Sequence, residues 1–283
     1  DGTAVNVSDF TAVNSTLTMA PGALSIALNV ASNEDTVFEA NEIFQVSLSA
    51  FTNSSSGDDL ATGTINNDDA VPTLTIYDLA IIEGATGSFA VSLSAASGVD
   101  TVFSWETYYG TAGASDFSGV SATTVTISAG AGSALLDVVT TEDALNEANE
   151  TFLVSLSAAT NATFADDLAA GTITDDDGAP LIYVTDAGAV TEGQTSLFII
   201  SLSATSGQDV TFTYQTYDDT SVSSQDYTAI GATVATIPAG ALTFLVSAVT
   251  TDDLVDETAT EYFDLSLSAL TSANVGDDIG GAG

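Results

Sequence analysis

Four groups of acidic side chains in the middle of the chain have the types and spacing to do chemistry together. Glu83 follows a short apolar run, and Asp116 sits in Gly110-Thr111-Ala112-Gly113-Ala114-Ser115-Asp116-Phe117. Glu142, Asp143, Glu147 and Glu150 crowd one loop ahead of Phe152, and Asp175, Asp176 and Asp177 close the unit. Each group lies at the end of an alternating apolar stretch. In a Greek-key sandwich such strand ends gather at two poles. If these groups meet at one pole, many carboxylates share a small volume. The chain has no Lys, Arg or His, so only bound cations can neutralise them. Hard oxygen donors in number suit Ca²⁺, which takes six to eight; Mg²⁺ keeps its waters and wants strict octahedral geometry. Zn²⁺ is disfavoured without His or Cys ligands. The competing reading is a diffusely acidic surface, as in salt-adapted proteins, that only holds hydrated cations.

The same composition excludes other chemistry. Without His, Cys, Lys or Arg there is no imidazole base, thiol nucleophile, Schiff-base amine or anion clamp. A paired-carboxylate glycosidase needs a cleft, which sandwiches joined end to end do not supply. The reading is therefore of a protein that is not an enzyme. Among 283 residues 39 are acidic, for a net charge of −39. An average chain of this length would carry about 30 basic residues. Either an all-acidic surface was selected or basic side chains were lost in the sequence as determined; the ordered placement of the acidic residues favours the first. Nucleic acid and anionic lipid are poor partners for such a surface. No apolar run is long enough to span a membrane and no basic leader opens the chain, so any membrane or secretion signal would lie outside it. With no cysteine, disulfides cannot hold the loops.

The elements that must position these groups read as strands. Phe89, Val91 and Leu93 alternate with Ala and Ser. Phe103, Trp105 and Thr107 do the same, as do Phe152, Val154 and Leu156, and Phe212, Tyr214 and Thr216. Period two over such runs marks a strand with one buried face. Motifs recur about 110 residues apart, one domain length. Val46-Ser47-Leu48-Ser49-Ala50 returns at 154–158 and, with Leu first, at 265–269; Glu39-Ala40-Asn41-Glu42 returns at 147–150. Seven or so short strands per repeat with Gly, Asp and Asn turns predict an all-β chain of tandem immunoglobulin-like antiparallel sandwiches, end to end. Pro72 and Pro180 mark the joints. The expected domains are 1–71, truncated at its N-terminus, 72–179, complete, and 180–283, lacking its last acidic strand end. The chain reads as a window cut from a longer array, or as a subunit completed by a neighbour's strand.

Several residues have a plainer reading. Asp58-Asp59, Asp166-Asp167 and Asp277-Asp278 are expected to be solvated turns. Glu42 and Glu150 are expected to face solvent or cap a strand. Trp105 lies on an alternating run and is expected in the core rather than on a carbohydrate platform.

Taken together, the sequence resembles the Calx-beta family. The resemblance rests on Glu83-Gly84, on Gly110-Thr111-Ala112 followed by Asp116-Phe117, on the acidic loop leading to Asn149-Glu150-Thr151-Phe152, and on Gly171-Thr172-Ile173-Thr174 before the triple Asp. It covers the whole chain and implies a multi-ion Ca²⁺ cluster at one pole, next to the following domain. Its implied ligands in repeat two are Glu83, Asp116, Glu142, Asp143, Glu147, Asp175, Asp176 and Asp177. In repeat one they are Asp9, Glu34, Asp35, Glu39, Asp68 and Asp69; the Glu-Gly copy is missing, and Asn67 stands where the third terminal Asp is expected. In repeat three they are Glu192, Asp226, Asp252, Asp253, Asp256 and Glu257, with the terminal Asp run absent. The expected function is a calcium-binding structural or adhesive segment of an extracellular surface protein, with Ca²⁺ stiffening the joints. Its expected partners are neighbouring repeats or subunits and cell-surface or matrix ligands. The alternative is a Ca²⁺-sensing module of a membrane-linked protein.

Overall fold

The computed structural model describes residues 2–253 and 259–283. All regular elements among them are strands, and no helix is long and apolar enough to cross a membrane. Repeat one contributes β1 (Phe10–Thr11), β2 (Ala31–Ser32), β3 (Glu42–Ser47) and β4 (Leu60–Ile65), joined as β1-β2 and β3-β4. Only Ala4 and Phe10 are buried among its described apolar residues.

Repeat two is a closed two-sheet sandwich. Its strands are β5 (Thr73–Ile76), β6 (Leu79–Ile82), β7 (Thr86–Leu93), β8 (Thr101–Tyr109), β9 (Thr123–Ile127), β10 (Ser133–Val139), β11 (Glu150–Thr160), β12 (Thr163–Asp166) and β13 (Leu168–Thr174). One sheet runs β10-β7-β5-β12 and the other β6-β13-β11-β8-β9. The first strand is split between them: β5 pairs parallel with β12, and β6 pairs parallel with β13. The break falls at Tyr77-Asp78, where Asp78 Oδ1 accepts the Ala170 amide at 2.7 Å.

Period two sets the core. Phe89 and Val91 face inward from one sheet; Phe103, Trp105, Phe152, Val154 and Leu156 face inward from the other. Trp105 is buried, as its alternation predicts. Phe152 stacks on Phe117 at 4.4 Å and meets Phe89 edge-on at 5.9 Å, so the ring spans both sheets. Gly171 lies opposite Phe152 in the ladder. A Cβ there would come within 2.3 Å of the Phe152 ring, so a larger residue fits only if the ring shifts.

Repeat three repeats the plan. Its strands are β14 (Leu181–Thr185), β15 (Thr195–Leu202), β16 (Val210–Asp218), β17 (Thr233–Ile237), β18 (Thr243–Val249), β19 (Phe263–Thr271), β20 (Asn274–Asp277) and β21 (Ile279–Ala282), in sheets β18-β15-β14-β20 and β17-β16-β19-β21. Tyr227 takes the place of Phe117, stacking on Phe263 at 4.2 Å. Its hydroxyl needs a partner and donates to Asp218 Oδ1 at 2.8 Å. Burial and that bond push the phenol up to about 12.

The Asp pairs are turns, as expected from sequence. Asp58, Asp166 and Asp277 each accept the amide two residues on with Oδ1, closing a turn between successive strands.

Candidate metal centre

Topology brings the acidic groups of repeat two to one pole. The C-terminal ends of β6, β8, β10 and β13 meet the N-terminal end of β11 there, as Ile82 pairs with Thr174, Tyr109 with Phe152, and Ile173 with Glu150. The loops are tied by backbone bonds from Glu83 to Thr174 at 3.1 Å and from Thr141 to Asp116 at 2.8 Å. Gly84 turns the chain with φ +71°, and a Cβ there would meet Glu142 Oε2 at 2.2 Å. The Glu-Gly pair thus supplies a carboxylate and the space for the facing loop.

Two carboxylate trios result: Glu83, Asp175 and Asp177, and Asp116, Glu147 and Glu150. Within each, one oxygen per residue lies within 4.8 Å of the others. That is about the diameter of a Ca²⁺ coordination sphere, with oxygens at about 2.3–2.6 Å from the ion. The trios are linked, since Asp175 Oδ1 accepts the Glu147 amide at 3.0 Å. A cavity of about 10 Å³ lies among Glu83, Asp116, Glu147, Glu150 and Asp175, the scale of one water-sized occupant. Asp177 Oδ2 is buried without a hydrogen-bond partner. A buried acceptor left unpaired costs free energy that a cation would offset. The donor set therefore fits Ca²⁺.

The titration of these groups reflects crowding. Burial, the hydrogen bond to Asp116 and the charges of Asp116, Glu147 and Glu83 push Glu150 up to about 7. Burial raises Glu147, helped by Asp143, Asp116, Asp175 and Asp177. Burial also raises Glu83 and Asp177, with neighbouring Asp charges adding to it. Burial opposes ionisation of Asp116 too. Bonds from the Gly113 amide, Ser115 and Glu150 outweigh it and leave Asp116 below its ordinary value.

Glu150 and Glu42 correct the sequence reading. Each belongs to a trio instead of facing solvent or merely capping a strand. The signal was present: Glu150 stands two residues before Phe152 and Glu42 two before Phe44, so period two puts both on the inward face. Glu142, Asp143 and Asp176 lie at the same pole but in neither trio. Asp143 donates its amide to Glu83 Oε1 at 3.1 Å, and Asp176 is exposed.

Repeat one has a single trio among its described residues, Asp9, Glu39 and Glu42. Asn67 stands where Asp175 does, since Asn67 Oδ1 accepts the Glu39 amide at 2.8 Å. Glu34, Asp35, Asp68 and Asp69 line an open cavity of about 460 Å³ around the trio. In repeat three, burial and a hydrogen bond to Asp226 raise Glu261, repeating the Asp116–Glu150 pair. Glu192, Asp252 and Asp253 are exposed and join no trio among the described residues. Asp256 and Glu257 lie outside the described residues.

A family model described as the Calx-beta domain matches residues 1–79, 80–177 and 175–278. No curated protein matches the chain. Similar solved structures include CBD12 from CALX1.2, 15% identical, covering 74% of this chain and 98% of that one, with a TM-score of 0.37. The calcium binding domain CBD12 of CALX1.1 is 17% identical, with coverage of 70% and 79% and a TM-score of 0.36. The apo-form Calx CBD1 domain is 17% identical, with coverage of 38% and 100% and a TM-score of 0.35.

Proposed function

The chain belongs to the Calx-beta family, and from that premise we propose that it is a non-catalytic, calcium-binding structural segment of an extracellular surface protein. The observation that carries this reading is the pair of linked carboxylate trios in repeat two. They lie in a chain with no basic side chain to neutralise them. Glu83, Asp116, Glu147, Glu150, Asp175 and Asp177 would hold the ions. Calcium there would supply positive charge at a crowded pole. The residues around it orient the carboxylates through the Gly113 and Glu147 amides and keep Asp177 Oδ2 away from water.

The position of the pole supports a stiffening role. Asp177 is followed closely by Pro180 and β14, so ions held by Asp175 and Asp177 would tie the start of repeat three to the loops of repeat two. A stalk or filament presenting an adhesive end is the use that suits such an array. Partners would be neighbouring repeats or subunits and cell-surface or matrix ligands. The second reading is a Ca²⁺-sensing module beside a membrane region. It is favoured by the bond from the Gly207 amide of repeat three to Asn146 O at 3.1 Å, through which the loop would feel binding. Small-angle scattering separates the proposal from a passive acidic surface: calcium at millimolar concentration should lengthen and stiffen the particle. A maximum dimension unchanged by chelation would overturn the stiffening role.

A further inference from the structure

Two glycines lack a side chain for a reason that lies in another repeat. Gly98 begins the approach to β8, and Gly207 holds the same place before β16. Neither has a positive φ, so their own backbones would accept any residue. A Cβ on Gly207, however, would meet Glu147 Cγ and Oε1 at 2.5 Å. A Cβ on Gly98 would meet Glu39 Cγ at 2.6 Å and Oε1 at 2.7 Å. Both glutamates belong to carboxylate trios of the preceding repeat.

The seat around each glycine is built the same way. The Gly207 amide donates to Asn146 O at 3.1 Å, and the Gly98 amide to Phe38 O at 2.9 Å. The serine before each glycine is buried, with Ser97 at 2% and Ser206 at 1% exposure; the Ser206 hydroxyl donates to Asn146 O at 3.4 Å, while the Ser97 hydroxyl donates to Val99 O at 2.8 Å and lies 3.4 Å from Phe38 O. Within its own repeat the serine is pinned: Gly130 donates to Ser97 O at 2.8 Å and Gly240 to Ser206 O at 2.9 Å. The contact thus recurs at two joints with the same chemistry, although the residues before the glutamates differ, Phe38 and Asn146.

We infer that the Ser-Gly steps of repeats two and three are seats that position the metal-facing glutamate of the repeat before each, so that calcium affinity in one repeat depends on its successor. This rests on the calcium reading of the trios. The glutamate stem lies on a glycine surface and its backbone is held by the Ser-Gly step, so the carboxylate is aimed from both sides. Gly207 is a positioning residue: it touches no ion and acts through Glu147.

The test uses the whole chain with Gly207→Ala, compared with the unmodified chain and with Gly231→Ala. Gly231 also lies in repeat three, has an ordinary φ, and has nothing within 4 Å of a built Cβ. Two quantities are read: the calcium dissociation constant of repeat two by calorimetry, and the exchange rate of the residue-207 amide in chelator. Misplacing a supporting contact typically weakens metal binding by about 10–100-fold. Gly207→Ala should weaken calcium binding by about tenfold and speed exchange at residue 207, while Gly231→Ala matches the unmodified chain in both. Gly207→Ala binding calcium as tightly as Gly231→Ala would overturn the coupling. Unchanged exchange at residue 207 would overturn the seat itself. If the unmodified chain took up no calcium, the proposed function would fall and the coupling with it, whereas the exchange arm would still decide whether the seat exists.

Discussion

Lowering the pH from 8 to 6 should weaken calcium binding at repeat two about tenfold, because an ion must displace a proton from Glu150. Burial, the hydrogen bond to Asp116 and three neighbouring carboxylates push that carboxyl up to about 7. A single competing proton at such a group weakens binding by about 1.1-fold at pH 8 and about 11-fold at pH 6. At pH 7 the group is about half protonated, so each binding event there should release about half a proton. Glu150 also affects the metal-free fold. Its folded value lies above the ordinary 4.5, so its stabilising contribution is complete below about 4.5 and is lost as pH rises through about 7. The metal-free chain should therefore lose stability across the same interval in which calcium binds more tightly. Calorimetry at pH 7 in two buffers of different ionisation heat measures the proton release. Titrations at pH 6 and 8 measure the affinity, and Glu150→Gln should flatten the dependence. An affinity equal at the two pH values, with no proton released, would refute the claim that Glu150 belongs to the ion site.

Substitutions should separate ligands from turns. Asp116→Ala and Asp175→Ala should each weaken calcium binding at least tenfold, while Asp166→Ala, whose carboxylate only accepts the Leu168 amide, should leave it within about twofold; equal effects at all three positions in a calcium titration would point to diffuse ion binding. Gly171→Ala should destabilise repeat two by about 1–3 kcal/mol, since the new Cβ overlaps the Phe152 ring and the core must shift. Denaturant unfolding in chelator reads that loss, and an unchanged midpoint would mean that the ring moves freely.

Much of the fold could be read from period two, because one buried face per strand leaves a plain trace at Phe89, Phe103 and Phe152. The split of the first strand into β5 and β6 left no such trace, since both halves are short and each pairs in a different sheet. The acidic loops could be placed at strand ends, but their meeting depends on strand order, which spacing does not encode. Glu150 and Glu42 were legible in principle. Reading them as solvent-facing or strand-capping overlooks the inward phase they share with Phe152 and Phe44. The Asn67 substitution was visible, but its consequence was not: Asn67 keeps the backbone bond to Glu39 and lacks the carboxylate, and with the Glu-Gly copy also missing repeat one has a single trio among its described residues. The need for Gly98 and Gly207 leaves no local trace in the sequence, because the atoms that require them belong to the preceding repeat.

Calcium should stabilise folded repeat two, and the melting midpoint in chelator against millimolar calcium reads that stabilisation. At calcium 100-fold above the dissociation constant, one site contributes about 2.7 kcal/mol. For a domain of this size each 1 kcal/mol moves the midpoint by about 4–8 °C. The midpoint should rise by at least about 10 °C on adding calcium, reversed by chelator. A midpoint that stays the same from chelator to several millimolar calcium would contradict it.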